Sequence, residues 1–281
     1  MKAAARVAVF GAALAAVLGI GSAIGAAVGP TPPAKAPAME PAPIGEGVVS
    51  AADGYRIVPA ERTLAAAGGE FRFVIDGPGG AAVHRFTPLH DRYLHLVVAN
   101  RELTEFHHVH PRLAADGTWS IDLPALPAGA YRAIADFHVT DGPRLALGTD
   151  VSVPGDYRPE PTPAPASTSR VDGYSVELAT EGHAGGEVET ALTIRKDGRA
   201  VTDLQPYLGA YGHLVALRVG DLAYAHVHPV GYRDGTIRFD ATLTAQGRYR
   251  LFLDFKHANT VHTAAFTFDQ GVVTGAPAME H

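Results

Sequence analysis

Short apolar or alternating stretches of strand length run along the chain, each bounded by Gly, Pro or Asp. No amphipathic helical pattern interrupts them, and about seven such strands in one hundred residues are typical of a β-sandwich. In the first half they are Tyr55–Val58, Glu70–Ile75, Tyr93–Val98, Thr104–Val109, Trp119–Leu123, Tyr131–Phe137 and Ala146–Val153. The second half follows the same order and ends with Ala264–Phe268.

The chain contains an internal repeat. His-Val-His-Pro occurs at His108–Pro111 and again 118 positions later at His226–Pro229. Tyr131 and Tyr249 keep the same offset, and each opens a long apolar strand just after a glycine. This pattern resembles the tyrosine corner of immunoglobulin-like sandwiches. The sequence therefore predicts an all-β fold with two tandem immunoglobulin-like β-sandwich domains.

The N-terminus carries a membrane signal. Lys2 and Arg6 precede an uncharged run, Val7–Gly29, that is long enough to cross a bilayer as a helix. Basic residues ahead of the run predict a single-pass cell-membrane protein whose bulk is extracytoplasmic. We favour a retained transmembrane helix; the alternative is a cleaved signal, which would make the protein secreted.

Shifts in composition divide the whole chain into six segments. We predict a membrane anchor or signal at 1–30, a Pro/Ala-rich linker at 31–52, repeat 1 at 53–153, a Pro-rich linker at 154–171, repeat 2 at 172–270 and a disordered tail at 271–281.

Composition also excludes several kinds of function. The 281 residues include no cysteine, so disulfides, thiolate catalysis and iron–sulfur clusters are excluded. The formal net charge of -6, without clustered Lys and Arg, argues against nucleic-acid binding. No pattern identifies a protein partner.

Three histidines recur in each repeat. With a two-residue turn at Arg101-Glu102, His95 would lie opposite His108, and His110 would share their face. A turn at Val219-Gly220 would arrange the second set in the same way. Prolines after each set should end the strands and leave the rings at the edge of a sheet. The predicted metal ligands are His95, His108, His110, His213, His226 and His228.

Three imidazoles without sulfur suit Cu(II) or Zn(II), so we predict one such ion per repeat. Asp136 and Asp254 are candidates for carboxylates that support the ligands from behind. His262 should lie two strands from His213, roughly 10 Å away, and outside the same ion's ligand set. The histidines without a counterpart are expected at the surface: His84, His90, His138, His183 and His257.

Three interpretations of the histidine clusters remain open. The first is a non-catalytic metal-binding protein that acts as a buffer, carrier or sensor module. The second is an adhesive or scaffolding pair of domains whose histidines organise hairpins. A metallo-hydrolase is the weakest, because no catalytic motif contains the paired aspartates that would have to act as base.

The segments "PYLGAYGHLVALRVGDLAYAHVHP" (206–229), "GRYRLFLDFKHANTVHTAAF" (247–266) and "LHLVVANRELTEFHHVHP" (94–111) resemble a family of actinobacterial envelope proteins that are membrane-anchored or secreted. The resemblance covers the N-terminal anchor and both repeats, and it implies an association with heavy metals. The predicted architecture is also similar to periplasmic copper-resistance sandwiches, although their ligand pattern is not found in this sequence.

Overall fold

A computed structural model describes residues 42–182, 187–243 and 245–271, without the side chains of Glu187 and His226. Over these residues the fold is all-β, as predicted. The strands are β1 (Ala51–Ala52), β2 (Tyr55–Pro59), β3 (Gly69–Asp76), β4 (Phe86–Thr87), β5 (Leu94–Asn100), β6 (Phe106–Val109), β7 (Arg112–Leu113), β8 (Thr118–Leu123), β9 (Gly129–Val139), β10 (Arg144–Val153), β11 (Thr168–Val171), β12 (Tyr174–Gly182), β13 (Glu187–Lys196), β14 (Arg199–Ala200), β15 (Gly212–Arg218), β16 (Tyr224–Arg233), β17 (Thr236–Thr242), β18 (Gly247–His257) and β19 (Thr260–Gln270).

Some predicted segments lie outside the described residues. They are the transmembrane helix of 1–30, the linker up to residue 41, the tail beyond residue 271 and His183. Within the part of the chain that the structure describes, no helix has the length and apolar character needed to span a bilayer.

Repeat 1 is a sandwich of two antiparallel sheets. One sheet has the order β1-β2-β3-β8-β7, and the other has the order β10-β9-β5-β6 with β4 paired to β9. The core between them is rich in aromatic residues; Phe86, for example, contacts Trp119 edge-on at 5.0 Å between ring centroids. Tyr131 donates its hydroxyl to the carbonyl of Pro127 at 2.9 Å. The tyrosine corner predicted for this repeat is therefore formed.

Repeat 2 repeats this architecture with one difference. Its strands follow the continuous order β11-β12-β13-β17-β16-β15-β18-β19, with β14 paired to β13. It has its own apolar core, and Tyr249 donates to the carbonyl of Ala245 at 2.8 Å. The second tyrosine corner is formed as well, which confirms two immunoglobulin-like sandwiches in tandem.

A third apolar cluster joins the two repeats, and we call it the interface core. On β5, Leu96 faces the core of repeat 1, while the alternate residue Val97 packs into the interface core. On β15 of repeat 2, Val215 does the same. Phe106 and Phe252 stack across the joint with ring centroids 3.9 Å apart. Both strands are therefore buried on both faces, and the repeats pack sheet against sheet.

The hairpin that carries the first histidine set has a longer loop than predicted. The chain turns through Arg101–Thr104, and Leu103 takes a left-handed φ of 55°. Asn100 closes this loop by accepting the amide of Thr104 at 2.9 Å. The four-residue loop shifts the pairing by two positions, so His108 lies opposite Val97 instead of His95. A shift of two preserves the face, and the histidines still point to the same side.

The pairing in repeat 2 is shifted from the prediction by the same two positions, with Tyr224 opposite Leu217, and it is also cut short. Strand β16 pairs with β15 only at Tyr224 and Ala225, and from His226 onward it pairs with β17 in the opposite sheet. It does not end at Pro229; the register shifts there instead, as at a β-bulge. Strands that pass between sheets in this way form the corners of sandwiches.

Both linkers are packed against the sandwiches where the structure describes them. In 42–50, Ile44 forms a parallel bridge with β10, and the amide of Gly47 donates to Ala146 at 2.8 Å. Arg132, itself buried, donates to the carbonyl of Gly47 at 2.7 Å. The Pro-rich linker between the repeats is likewise held, for example by Thr162, which donates to the carbonyl of Glu102 at 3.0 Å.

Candidate metal centre

The histidine triad of repeat 1 (His95, His108 and His110) converges at the edge of the β5–β6 hairpin. Nδ1 of His95 lies 3.0 Å from Nε2 of His108 and 3.1 Å from Nε2 of His110. One nitrogen from each ring lies within 4.8 Å of the other two. Two nitrogens that bind one tetrahedral Zn(II) at about 2.0–2.1 Å are about 3.3 Å apart, and cis ligands of a square-planar ion are about 2.9 Å apart. The distances from His95 to His108 and to His110 therefore match the spacing of a ligand set.

The outward-facing nitrogens of His95 and His108 are fixed by hydrogen-bond acceptors. Nε2 of His95 donates to the carbonyl of Leu89 at 2.9 Å. Nδ1 of His108 donates to the carboxylate of Asp254, on repeat 2, at 3.0 Å. The other oxygen of Asp254 accepts the hydroxyl of Thr263 at 2.6 Å. Metal-binding histidines have this kind of outer partner, which fixes the tautomer and aims the free nitrogen at the ion.

Burial favours the neutral form of His95 and His110. Burial, and next the nearby His108, lowers the pKa of His95 to about 3. Burial, followed by the charges of His108 and His95, lowers the pKa of His110 to about 2. Neutral imidazoles are the form that binds metal ions.

Protons alone do not satisfy the nitrogens of the triad. Because Nε2 of His95 donates to a carbonyl, its Nδ1 holds a lone pair, and an imidazole nitrogen has only one. The nitrogens of His108 and His110 both face this single lone pair. The ring of His108 already uses its Nδ1 proton on Asp254, so with one ring proton its Nε2 is also a lone pair. Only His110 can then donate to His95, and His108 is left with a poor contact. A cation at the centre would be bound by all three nitrogens at once.

The described side chains of the second histidine set, His213 and His228, lie on strand segments that belong to different sheets. The ring centroid of His213 lies 6.3 Å from that of His95 and 6.2 Å from that of His108. His213 therefore lies beside the triad of repeat 1, across the contact between the repeats. His228 lies on the part of β16 that pairs with β17 in the opposite sheet, away from the ladder of β15. The side chain of His226 lies outside the described residues.

The two supporting aspartates have different partners. Asp254, on repeat 2, accepts the Nδ1 proton of His108, which lies on repeat 1. Asp136 forms a buried ion pair with Arg144 at 2.9 Å and accepts the hydroxyl of Tyr224 at 3.1 Å. In repeat 2, His262 stands in the position of Arg144 and donates to Asp172 instead, at 2.7 Å.

His90 was expected at the surface, but it lies beside the cluster. Its ring centroid is 5.6 Å from His213 and 6.1 Å from His95. Its backbone is left-handed, with a φ of 45°, in the tight turn whose Leu89 carbonyl supports His95. Nothing in the sequence pattern marks this residue, since repeat 2 has Leu208 at the same position.

The contact between the repeats is reflected in the apolar pattern of strand β5. Strand β5 reads Leu-His-Leu-Val-Val-Ala-Asn, which is apolar on both of its faces apart from His95 and the terminal Asn100. An antiparallel strand with one face in water would alternate with polar residues. This pattern could have indicated that the first histidine set faces a second packed layer.

The chain matches several solved structures at low sequence identity and low TM-score. An Escherichia coli adhesin, FdeC, is 16% identical over 83% of this chain and 66% of its own, with a TM-score of 0.25. The Ig1-2 module of the Drosophila receptor phosphatase DLAR is 9% identical over 78% of this chain and 99% of its own, with a TM-score of 0.21. The integrin-binding bacterial protein invasin is 12% identical over 77% of this chain and 39% of its own, with a TM-score of 0.23.

The chain spans less than two thirds of the lengths of FdeC and invasin, and these similarities say nothing about function. No curated protein matches the sequence. A family matches both repeats, over residues 50–158 and 169–271. The chain therefore belongs to the family described as "Domain of unknown function (DUF8832)".

Proposed function

We propose that this chain is a non-catalytic metal-binding protein that takes one Cu(II) or Zn(II) ion at the histidine triad. The observation that carries this proposal is the meeting of three imidazole nitrogens, with the outer nitrogens of two rings tied to a carbonyl and a carboxylate. An all-nitrogen set suits both ions, and Cu(II) should bind more tightly by intrinsic order.

The cavity beside the triad supports a binding role over catalysis. It has a volume of about 30 Å³ and is lined by His90, His95, His108 and His213, by the ion pair of Asp136 and Arg144, and by Tyr224 and apolar residues. Sites for organic ligands are typically about 300–1,000 Å³. An ion and a water molecule fit this space, whereas an organic substrate does not. A buffer, carrier or sensor module for metal ions needs no more room.

The apolar run near the N-terminus bears on where in the cell the metal centre would lie. A retained helix within residues 1–30 would place the metal centre outside the cell membrane, and cleavage would release it. Copper and zinc outside the membrane would then be the ions available to the site.

Titration of the purified full chain with Zn(II) and Cu(II), followed by calorimetry, tests the proposal. We expect one equivalent to bind, and His95→Ala or His108→Ala to weaken binding by about 100-fold or more, since each removes a ligand. The matched control is His84→Ala, which removes an exposed histidine of the same repeat. Binding by the wild-type chain no tighter than by a His95→Ala, His108→Ala variant would overturn the proposal.

The second candidate is a scaffolding or adhesive pair of domains in which the histidines only brace the fold. It is favoured by the hydrogen bonds that tie His95 and His213 to the turns at Leu89 and Tyr207. The same titration separates the candidates, because a bracing cluster loses stability on mutation but has no metal affinity to lose.

A further inference from the structure

Repeat 2 presents a fourth imidazole to the triad. His213 is buried, with 7% of its surface exposed. Its Nε2 donates to the carbonyl of Tyr207 at 2.8 Å, so its Nδ1 holds a lone pair. This arrangement repeats the one at His95, whose Nε2 donates to the equivalent carbonyl of Leu89. His213 is therefore oriented like a metal ligand, although it belongs to the other domain.

The space between His213 and the triad fits a small group. His213, His95 and His108 line the cavity of about 30 Å³, with ring centroids 6.2–6.3 Å apart across it. A buried site of this volume with several polar partners holds about one water molecule. Three protein nitrogens leave one position of a tetrahedral ion open. Water in that position donates strong hydrogen bonds and needs an acceptor.

We propose that His213 completes the metal centre through one water molecule in this cavity, so that the bound ion links repeat 1 to repeat 2. This inference rests on the proposed function and names the domain that closes the site. Repeat 2 then contributes twice: His213 accepts from the water, and Asp254 holds the ligand His108. Neither contribution exists unless the two repeats are packed together.

This geometry would couple metal binding to the packing of the two repeats. An ion that needs groups from both repeats stabilises the packed arrangement over the separated one, to an extent set by its concentration relative to its Kd. Metal binding should therefore slow local opening in repeat 2 as well as in repeat 1. The strand that carries His213, β15, should show this most clearly.

The experiment compares the full chain with His213→Ala and His213→Gln. Zn(II) affinity is measured by competition titration, and hydrogen exchange of β15 is followed by mass spectrometry with and without Zn(II). We expect His213→Ala to keep one equivalent, to bind about 10–100-fold more weakly and to lose the zinc-dependent protection of β15. The amide oxygen of Gln can accept from the water, so His213→Gln should recover part of both.

The matched control is His262→Ala, which removes another buried histidine of repeat 2 that donates to Asp172. It should leave zinc affinity unchanged. Full affinity and full protection of β15 in both His213 variants would overturn this inference and leave the triad intact. A wild-type chain that binds no Zn(II) would overturn the proposed function together with it.

Discussion

Replacing Asp254 with Asn tests how much the metal centre depends on the repeat that does not contain its ligands. The carboxylate of Asp254 accepts Nδ1–H of His108 at 3.0 Å and the hydroxyl of Thr263 at 2.6 Å. Asn has one oxygen and one NH2 group in place of two oxygens. If the oxygen keeps His108, the hydrogen bond loses its charged acceptor. If the NH2 group faces His108, the ring must move its proton to Nε2, where the ion would bind.

Either outcome weakens metal binding by an amount that can be worked out. Hydrogen bonds to charged groups contribute about 1.5–3 kcal/mol, and neutral ones contribute about 0.5–1.5 kcal/mol. Losing the charge therefore costs about 1–1.5 kcal/mol, which is roughly a tenfold rise in Kd. The wrong tautomer would cost more, up to about the 100-fold that supporting residues of metal ligands reach. We expect a 10–100-fold weaker affinity for Zn(II), with the stoichiometry unchanged.

Competition titration with a chromophoric chelator measures this difference. Asp172→Asn is the matched control, because Asp172 also accepts from a buried histidine of repeat 2, His262, at 2.7 Å. It should leave the affinity unchanged. Equal Zn(II) affinity in Asp254→Asn and wild type, with both folded by circular dichroism, would refute the reasoning that Asp254 supports the ligand His108.

Three further predictions concern stability without metal. Burial lowers the pKa of His95 to about 3 and that of His213 to about 4. Below about pH 6.5 these two histidines are therefore protonated in the unfolded chain but stay neutral in the folded chain. The free energy of unfolding should be highest above pH 7 and should fall by several kcal/mol towards pH 4.5. Equal urea midpoints at pH 7 and pH 4.5 would contradict this. Phe252→Ala should cost about 3–5 kcal/mol, because it empties a site in the interface core; a loss below 1 kcal/mol in urea unfolding would argue against tight packing there. Tyr131→Phe and Tyr249→Phe should each lower the free energy of unfolding by about 0.5–1.5 kcal/mol, because each removes one hydrogen bond. Unchanged thermal midpoints would show that these hydrogen bonds do not contribute to stability.

The sequence was sufficient for the sandwiches because local patterns determine them. Alternation of apolar residues located the strands, and the glycine before Tyr131 and Tyr249 located the corners. Strand parity also predicted that His95, His108 and His110 share a face, which they do. These features depend on neighbours in sequence or on one hairpin, and a period of two residues is enough to predict them.

The rest depends on loop conformation and on packing between distant segments. Leu103 takes a left-handed φ that its residue type does not favour, so the four-residue loop and its register could not be predicted. The bond between His108 and Asp254 joins positions 146 residues apart. The sequence marks both residues as chemically interesting, but only the packing of the two repeats brings them together.

The packed segment at 42–50 has a consequence for solubility. Strand β10 would otherwise be the edge of its sheet, with unpaired backbone groups open to strand addition by a second molecule. Ile44 and Gly47 cover part of this edge by donating to Arg144 and Ala146. A chain shortened to begin after residue 50 would keep every strand of the sandwiches and still expose this edge. Such a fragment should self-associate, even though all of its hydrophobic core is present.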